Sequence, residues 1–101
     1  MLDLRLAQEQ SLFILTPLGE LEVCAVEVNA DASEATIEIT LPEELDSTTT
    51  TGTYKLLDEF TVEAAGETIR LKVLRFRPGK YGGAGSVALG IDAPRDWPVM
   101  R

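Results

Sequence analysis

The side chains in this sequence best suited to recognise a ligand are cations gathered towards one end. Arg70, Lys72, Arg75, Arg77 and Lys80 form its basic cluster, and Arg101 is the last residue. A guanidinium takes guanine through two parallel N–H donors, and unpaired RNA bases are read by stacking and by their edges. Arg70 and Lys72 share one strand parity, opposite Ile69, Leu71 and Val73. The cluster is therefore either a nucleic-acid surface or a solvated strand face that pairs with acidic residues elsewhere.

Catalytic chemistry has little to work with. The chain has no histidine and one cysteine, Cys24, so no imidazole activates the thiol and no intrachain disulfide is available. The Cys/His sets of zinc sites are missing. Nothing places two of Glu20, Glu22, Glu43 and Glu44 in an apolar pocket for acid–base work. The glycine-rich run Gly79–Gly85 lacks the spacing of a phosphate loop and no helix follows it. It reads as a hairpin tip that presents Lys80 and Tyr81. The expectation is a non-enzyme without metal or cofactor.

Net charge is −8 and is unevenly distributed. Residues 1–52 hold one basic residue, Arg5, against eleven acidic ones, or −10; residues 53–101 hold eight basic and six acidic, or +2. Acidic surface repels phosphate, so a nucleic-acid contact belongs to the second half. No apolar run approaches the roughly 18 residues of a membrane helix. The N-terminus lacks the basic-then-apolar order of a signal peptide. A cytoplasmic protein with no membrane contact is expected.

The elements that must position these residues are strands. Glu20–Ala25, Thr36–Leu41, Thr68–Val73 and Val87–Ile91 alternate apolar and polar positions at the strand period. Turn signals separate them: Thr16–Gly19, Asn29–Ser33, Ala64–Gly66 and Pro78–Gly85. A repeat runs through the pattern. A shift of 48 lays Leu12-Phe13-Ile14 on Phe60-Thr61-Val62, and Glu20–Val28 on Thr68–Phe76 without a gap. In both copies the apolar parity changes at one place, before Val26 and Val28 in the first and before Leu74 and Phe76 in the second. A phase change inside a strand predicts a bulge. Beyond a hairpin loop four residues longer in the second copy, a shift of 52 lays Ala35–Pro42 on Val87–Pro94. Each copy reads as about five short strands, divided as residues 1–50 and 51–101, with the threonine run from Ser47 to Thr53 between them.

The second copy resembles the carbon storage regulator (CsrA/RsmA) family, widely found in bacteria. The residues that carry the likeness are Gly90-Ile91-Asp92-Ala93-Pro94, the pair Arg95-Asp96, and Val99-Met100-Arg101. The opening MLDLRLAQEQSLFI is similar to the family's start. Family members are intertwined homodimers in which strands one and five of one subunit flank strands two to four of the other. The resemblance implies an all-β fold, with two tandem five-strand units forming an intertwined pseudo-dimeric β-sandwich or barrel in one chain. The family's C-terminal helix is expected to be absent, and the protein to be a monomer. Trp97 is expected to pack between the copies.

The resemblance also implies an RNA site made by the fifth strand of one unit and the first strand of the other. Arg101 and Val99 then lie beside Leu4 and Arg5, with Arg70, Lys72 and Lys80 as further basic contacts. Arg5 is one place off the family's basic position, so it is expected to face the other way. Thr49 stands where Arg101 has its counterpart in the first copy, so one of two sites is expected to be lost. The implied function is regulation of translation through GGA-bearing mRNA leaders. The alternative is a protein-interaction module that no longer binds RNA, or an antagonist of such a regulator, with the acidic half imitating RNA.

Overall fold

The computed structural model describes residues 2–45, 48–80 and 83–101, and it is all-β. Nine strands follow one another: β1 Leu2–Ala7, β2 Ser11–Thr16, β3 Gly19–Asn29, β4 Glu34–Thr40, β5 Thr49–Lys55, β6 Glu59–Ala64, β7 Glu67–Arg77, β8 Ser86–Asp92 and β9 Val99–Met100. A 3₁₀ turn spans Glu43–Leu45. Strand formation follows the alternation. β2 and β4 bury every second residue and leave the intervening ones part-exposed.

The strands form two antiparallel sheets. Sheet I has the order β1-β8-β7-β6 and sheet II the order β5-β4-β3-β2-β9. No ladder joins them, so the architecture is a pair of open sheets and the barrel alternative is corrected. Their inner faces share one buried cluster, with Leu6, Ile69, Leu71 and Leu89 from sheet I and Leu12, Ile14, Leu21 and Ile37 from sheet II. Each such side chain contributes roughly 1.5–3 kcal/mol when fully buried. Trp97 belongs to the same cluster and is almost fully covered.

Two of the four outermost strands, β1 and β9, pair with strands from the other half of the chain. β1 pairs with β8, so Leu4 lies opposite Leu89. β9 pairs with β2, with Ile14 opposite Val99. β5 runs through the expected boundary at residues 50 and 51 and pairs with β4 along its whole length. Its threonines are ladder residues, and the Thr36–Thr53 and Thr40–Thr49 hydroxyl pairs each lie 3.2 Å apart.

The two halves are paired in the same way. Adding 48 to every position of the β2–β3 hairpin gives the β6–β7 hairpin, from Leu12 opposite Val23 to Phe60 opposite Leu71. The register slips once in β3, between Ala25 and Glu27, and once in β7, between Val73 and Arg75. Both slips fall where the parity changes. Val28 is buried as the phase change predicts, but Val26 is exposed because it is the extra, unpaired residue of its bulge. Leu74, the extra residue in β7, is half-buried. The turns that enter these strands match too: Glu9 has φ 70° and Leu57 has φ 69°. Their N–H groups donate to Ala25 and Val73 at 2.6 and 2.8 Å.

The β2–β3 turn is held differently from the β6–β7 turn. The Thr16 hydroxyl donates to the Gly19 carbonyl at 2.8 Å and accepts from the Leu18 N–H at 3.1 Å. Gly19 takes φ 123°, and a Cβ there would lie 3.1 Å from Pro42. The positive φ favours glycine, and any side chain there would have to displace Pro42 slightly.

Candidate nucleic-acid interface

The outer face of sheet I carries most of the cations, and the register says where. Arg5, Ala88 and Arg75 form one row across β1, β8 and β7; Ala7, Ser86 and Arg77 form the next. On the other side of Arg5 comes the row Asp3, Gly90 and Lys72. Ala88 is almost fully buried although it points outward, and Gly90 has no side chain at all. Small residues in the middle strand give long cationic side chains room to lie across the sheet.

Arg5 is half-buried on this face, and its Nη1 donates to Ser86 Oγ at 3.1 Å. Burial first, and then the Arg77 and Arg75 guanidiniums, push Arg5 below its ordinary pKa. Three like charges on adjacent rows form a local positive field. One acidic neighbour offsets it: Arg75 Nη2 lies 3.5 Å from Asp3 Oδ2.

Arg101 reaches the same strand from sheet II. It is exposed, and its Nη1 donates to the Arg5 carbonyl at 3.2 Å. That bond uses one of five guanidinium N–H donors and leaves the others for a ligand. The positively charged area thus spans both sheets. A groove of roughly 380 Å³ lined by Leu2, Ala93, Arg95, Trp97 and Val99 opens where β1 and β9 meet.

The remaining sequence-predicted residues are dispersed. Leu4 and Val99 are half-buried and pack against the core, so they shape the site without adding charge. Lys72 lies on the outer face of sheet I, 3.9 Å from Glu59. Arg70 is further along β7, level with Asp92 and Thr61, about 13 Å from the Arg75 row at strand rise. Lys80 is exposed beyond the end of β7, and Tyr81 lies outside the described residues. Arg75 and Arg77, counted in the basic cluster but not among the site residues, are the ones the fold brings to Arg5. The phase change at Leu74 was the signal for them. It returns the odd-numbered residues after the bulge to the face that Arg70 and Lys72 occupy before it.

Thr49 stands at the position corresponding to Arg101 in the first half. It opens β5, and its hydroxyl is paired with that of Thr40. No group of three or more metal-ligating side chains occurs among the described residues, and no helix among them is long and apolar enough to cross a membrane. No family model matches the chain, and no curated protein or solved structure matches it.

Proposed function

We propose that the protein is a single-chain counterpart of the carbon storage regulator dimer, and that it binds a GGA-bearing RNA stem-loop at one site between β1 and β9. On this reading each half is a divergent copy of one unit, and strands exchanged between the halves flank the hairpins, β1 in sheet I and β5 and β9 in sheet II. The equal registers support it, as do the places of β1 on β8, β5 on β4 and β9 on β2. A covalent link removes the concentration dependence of assembling such a dimer.

The observation that carries the RNA reading is the Arg101–Arg5 hydrogen bond, which joins the two strands from which the family builds its site. Arg101 offers two parallel donors to guanine. Arg5, Arg75 and Arg77 supply the attraction for phosphate, which is sequence-independent and falls with salt. The groove beside Val99 and Trp97 mixes apolar side chains with Arg95 and Asp92, and an unstacked base can lie against its apolar part. Binding at the leader of an mRNA would then alter ribosome access, and so translation, in the cytoplasm.

The charge of −10 in residues 1–52 favours a second reading, a protein-interaction module or antagonist that imitates RNA. A gel shift at low salt separates the two. The RNA reading expects a GGA stem-loop to be retarded and a stem-loop with the GGA replaced to run free. If neither is retarded at the lowest workable ionic strength, the RNA reading is lost.

A further inference from the structure

Among the described residues no strand lies beside the outer edge of β6, whereas the corresponding edge of β2 is covered by β9. The connectivity accounts for the difference. β4 and β5 are neighbours in sheet II, and their ladder extends to Leu41, whose N–H donates to the Thr48 carbonyl at 3.0 Å. Thr48 and Thr49 are thereby held in sheet II at the positions where a counterpart of β9 would have to leave for sheet I. Sheet I is left with four strands and sheet II has five.

The exposed edge has a defined chemistry. The β6–β7 turn has two central residues, Ala65 at φ 50° and Gly66 at φ 79°, so the closing pair Ala64–Glu67 is hydrogen-bonded. Bonded and non-bonded pairs alternate along an antiparallel ladder. Phe60 and Val62 are therefore bonded to β7, and Thr61 and Glu63 turn their N–H and C=O groups outward. On the corresponding strand, the outward N–H of Leu15 is satisfied by the Pro98 carbonyl at 2.9 Å. Leu12 is fully buried there, but its counterpart Phe60 is only half-buried and stacks on Tyr54 at 3.9 Å between ring centres. A groove of roughly 220 Å³ runs beside it, walled by Ile39, Leu41, Tyr54, Phe60 and Val62. On the other face Glu59, Thr61 and Glu63 are exposed, and Glu59 shares its charge with Lys72 at 3.9 Å.

We propose that this edge binds an extended segment of a partner protein by strand addition, antiparallel to β6. The bound segment places an apolar residue opposite Val62 in the groove, as Val99 lies opposite Ile14. Its neighbour, level with Thr61, is basic and sits between Glu59 and Glu63 on the outer face. Main-chain hydrogen bonds supply affinity and the alternating side chains supply selectivity. The same two glutamates oppose a second copy, because edge-to-edge pairing of two β6 strands would bring like charges together. The inference rests on strand order and not on RNA binding at Arg101, so either can fail without the other.

The probe is a fluorescein-labelled synthetic peptide with the sequence of residues 94–101 carrying Met100→Lys, since position 100 falls level with Thr61 when Val99 lies opposite Val62. Fluorescence anisotropy against the full chain is expected to give saturable binding. Thr61→Pro removes an outward N–H without breaking a bond to β7 and is expected to weaken binding about tenfold or more. Glu63→Lys is expected to weaken it too, more at low salt than at high. Circular dichroism establishes that each variant is folded, and Glu63→Lys alone suffices if Thr61→Pro does not fold. No saturable binding at millimolar protein, or binding unchanged in the folded variants, overturns the proposal. So does a concentration-dependent dimer in sedimentation that Thr61→Pro abolishes, since the edge then takes a second copy.

Discussion

The Arg101 guanidinium lies 3.2 Å from the carbonyl oxygen of Arg5, 96 residues away in sequence and in the other sheet. The contact is exposed and is worth about 1 kcal/mol at most. Its value is in placement, since it brings the end of β9 to the one strand of the first half that carries a cation.

Arg101→Ala is expected to abolish retardation of a GGA stem-loop, and Thr49→Ala to leave it unchanged. Because Arg101 is exposed, the unfolding free energy of Arg101→Ala should stay within about 0.5 kcal/mol of wild type. Arg101→Lys should restore little, because an ammonium lacks the two parallel donors. Gel shifts paired with denaturant melts check this, and full binding by Arg101→Ala would remove the arginine from the site.

Arg77→Gln relieves like-charge repulsion on Arg5 and breaks no ion pair among the described residues. A gain of up to about 0.5 kcal/mol is expected at low salt, vanishing in high salt as screening takes over. The same substitution should weaken RNA binding and flatten its salt dependence by about one counterion. Urea melts and binding isotherms at two ionic strengths measure both effects.

Glu9→Gly and Leu57→Gly should each stabilise the protein. Both residues hold positive φ, 70° and 69°, which costs a non-glycine residue about 1 kcal/mol. The gain is partly offset by the greater freedom of glycine in the unfolded chain, so a net of about 0.5 kcal/mol is expected. Thermal melts of the two variants should shift upward together. A downward shift in either would show that its side chain does more than fill a turn.

Leu21→Ala and Ile69→Ala occupy corresponding places in β3 and β7, and both residues are fully buried. Each should cost about 2–5 kcal/mol in denaturant unfolding. Single cooperative transitions are expected for both, because one core serves both sheets. Two separated transitions would mean that the halves unfold independently.

Much of the fold was legible in the residue pattern because a strand's period is local. The alternation in Glu20–Ala25 and Thr68–Val73, the turns at Thr16–Gly19 and Ala64–Gly66, and the phase change near Val26 and Leu74 all come from neighbours within a few residues. The 48-residue spacing between the two matching hairpins followed from the same signals. So did the expectation that cations in the second half lie on an outer face, because Arg70 and Lys72 oppose the apolar parity.

Tertiary structure alone decided which side chains meet. Arg75 and Arg77 stand beside Arg5 because β1 pairs with β8, a match across more than eighty residues that depends on edges and connection lengths rather than on local period. The same holds for Val26, whose exposure follows from being the unpaired residue of a bulge, and for the outer edge of β6, beside which no strand lies among the described residues. A strand pattern states which residues face inward. It does not state which edge each strand joins, because that depends on whether a short link such as the one from Leu41 to Thr48 can reach the other sheet.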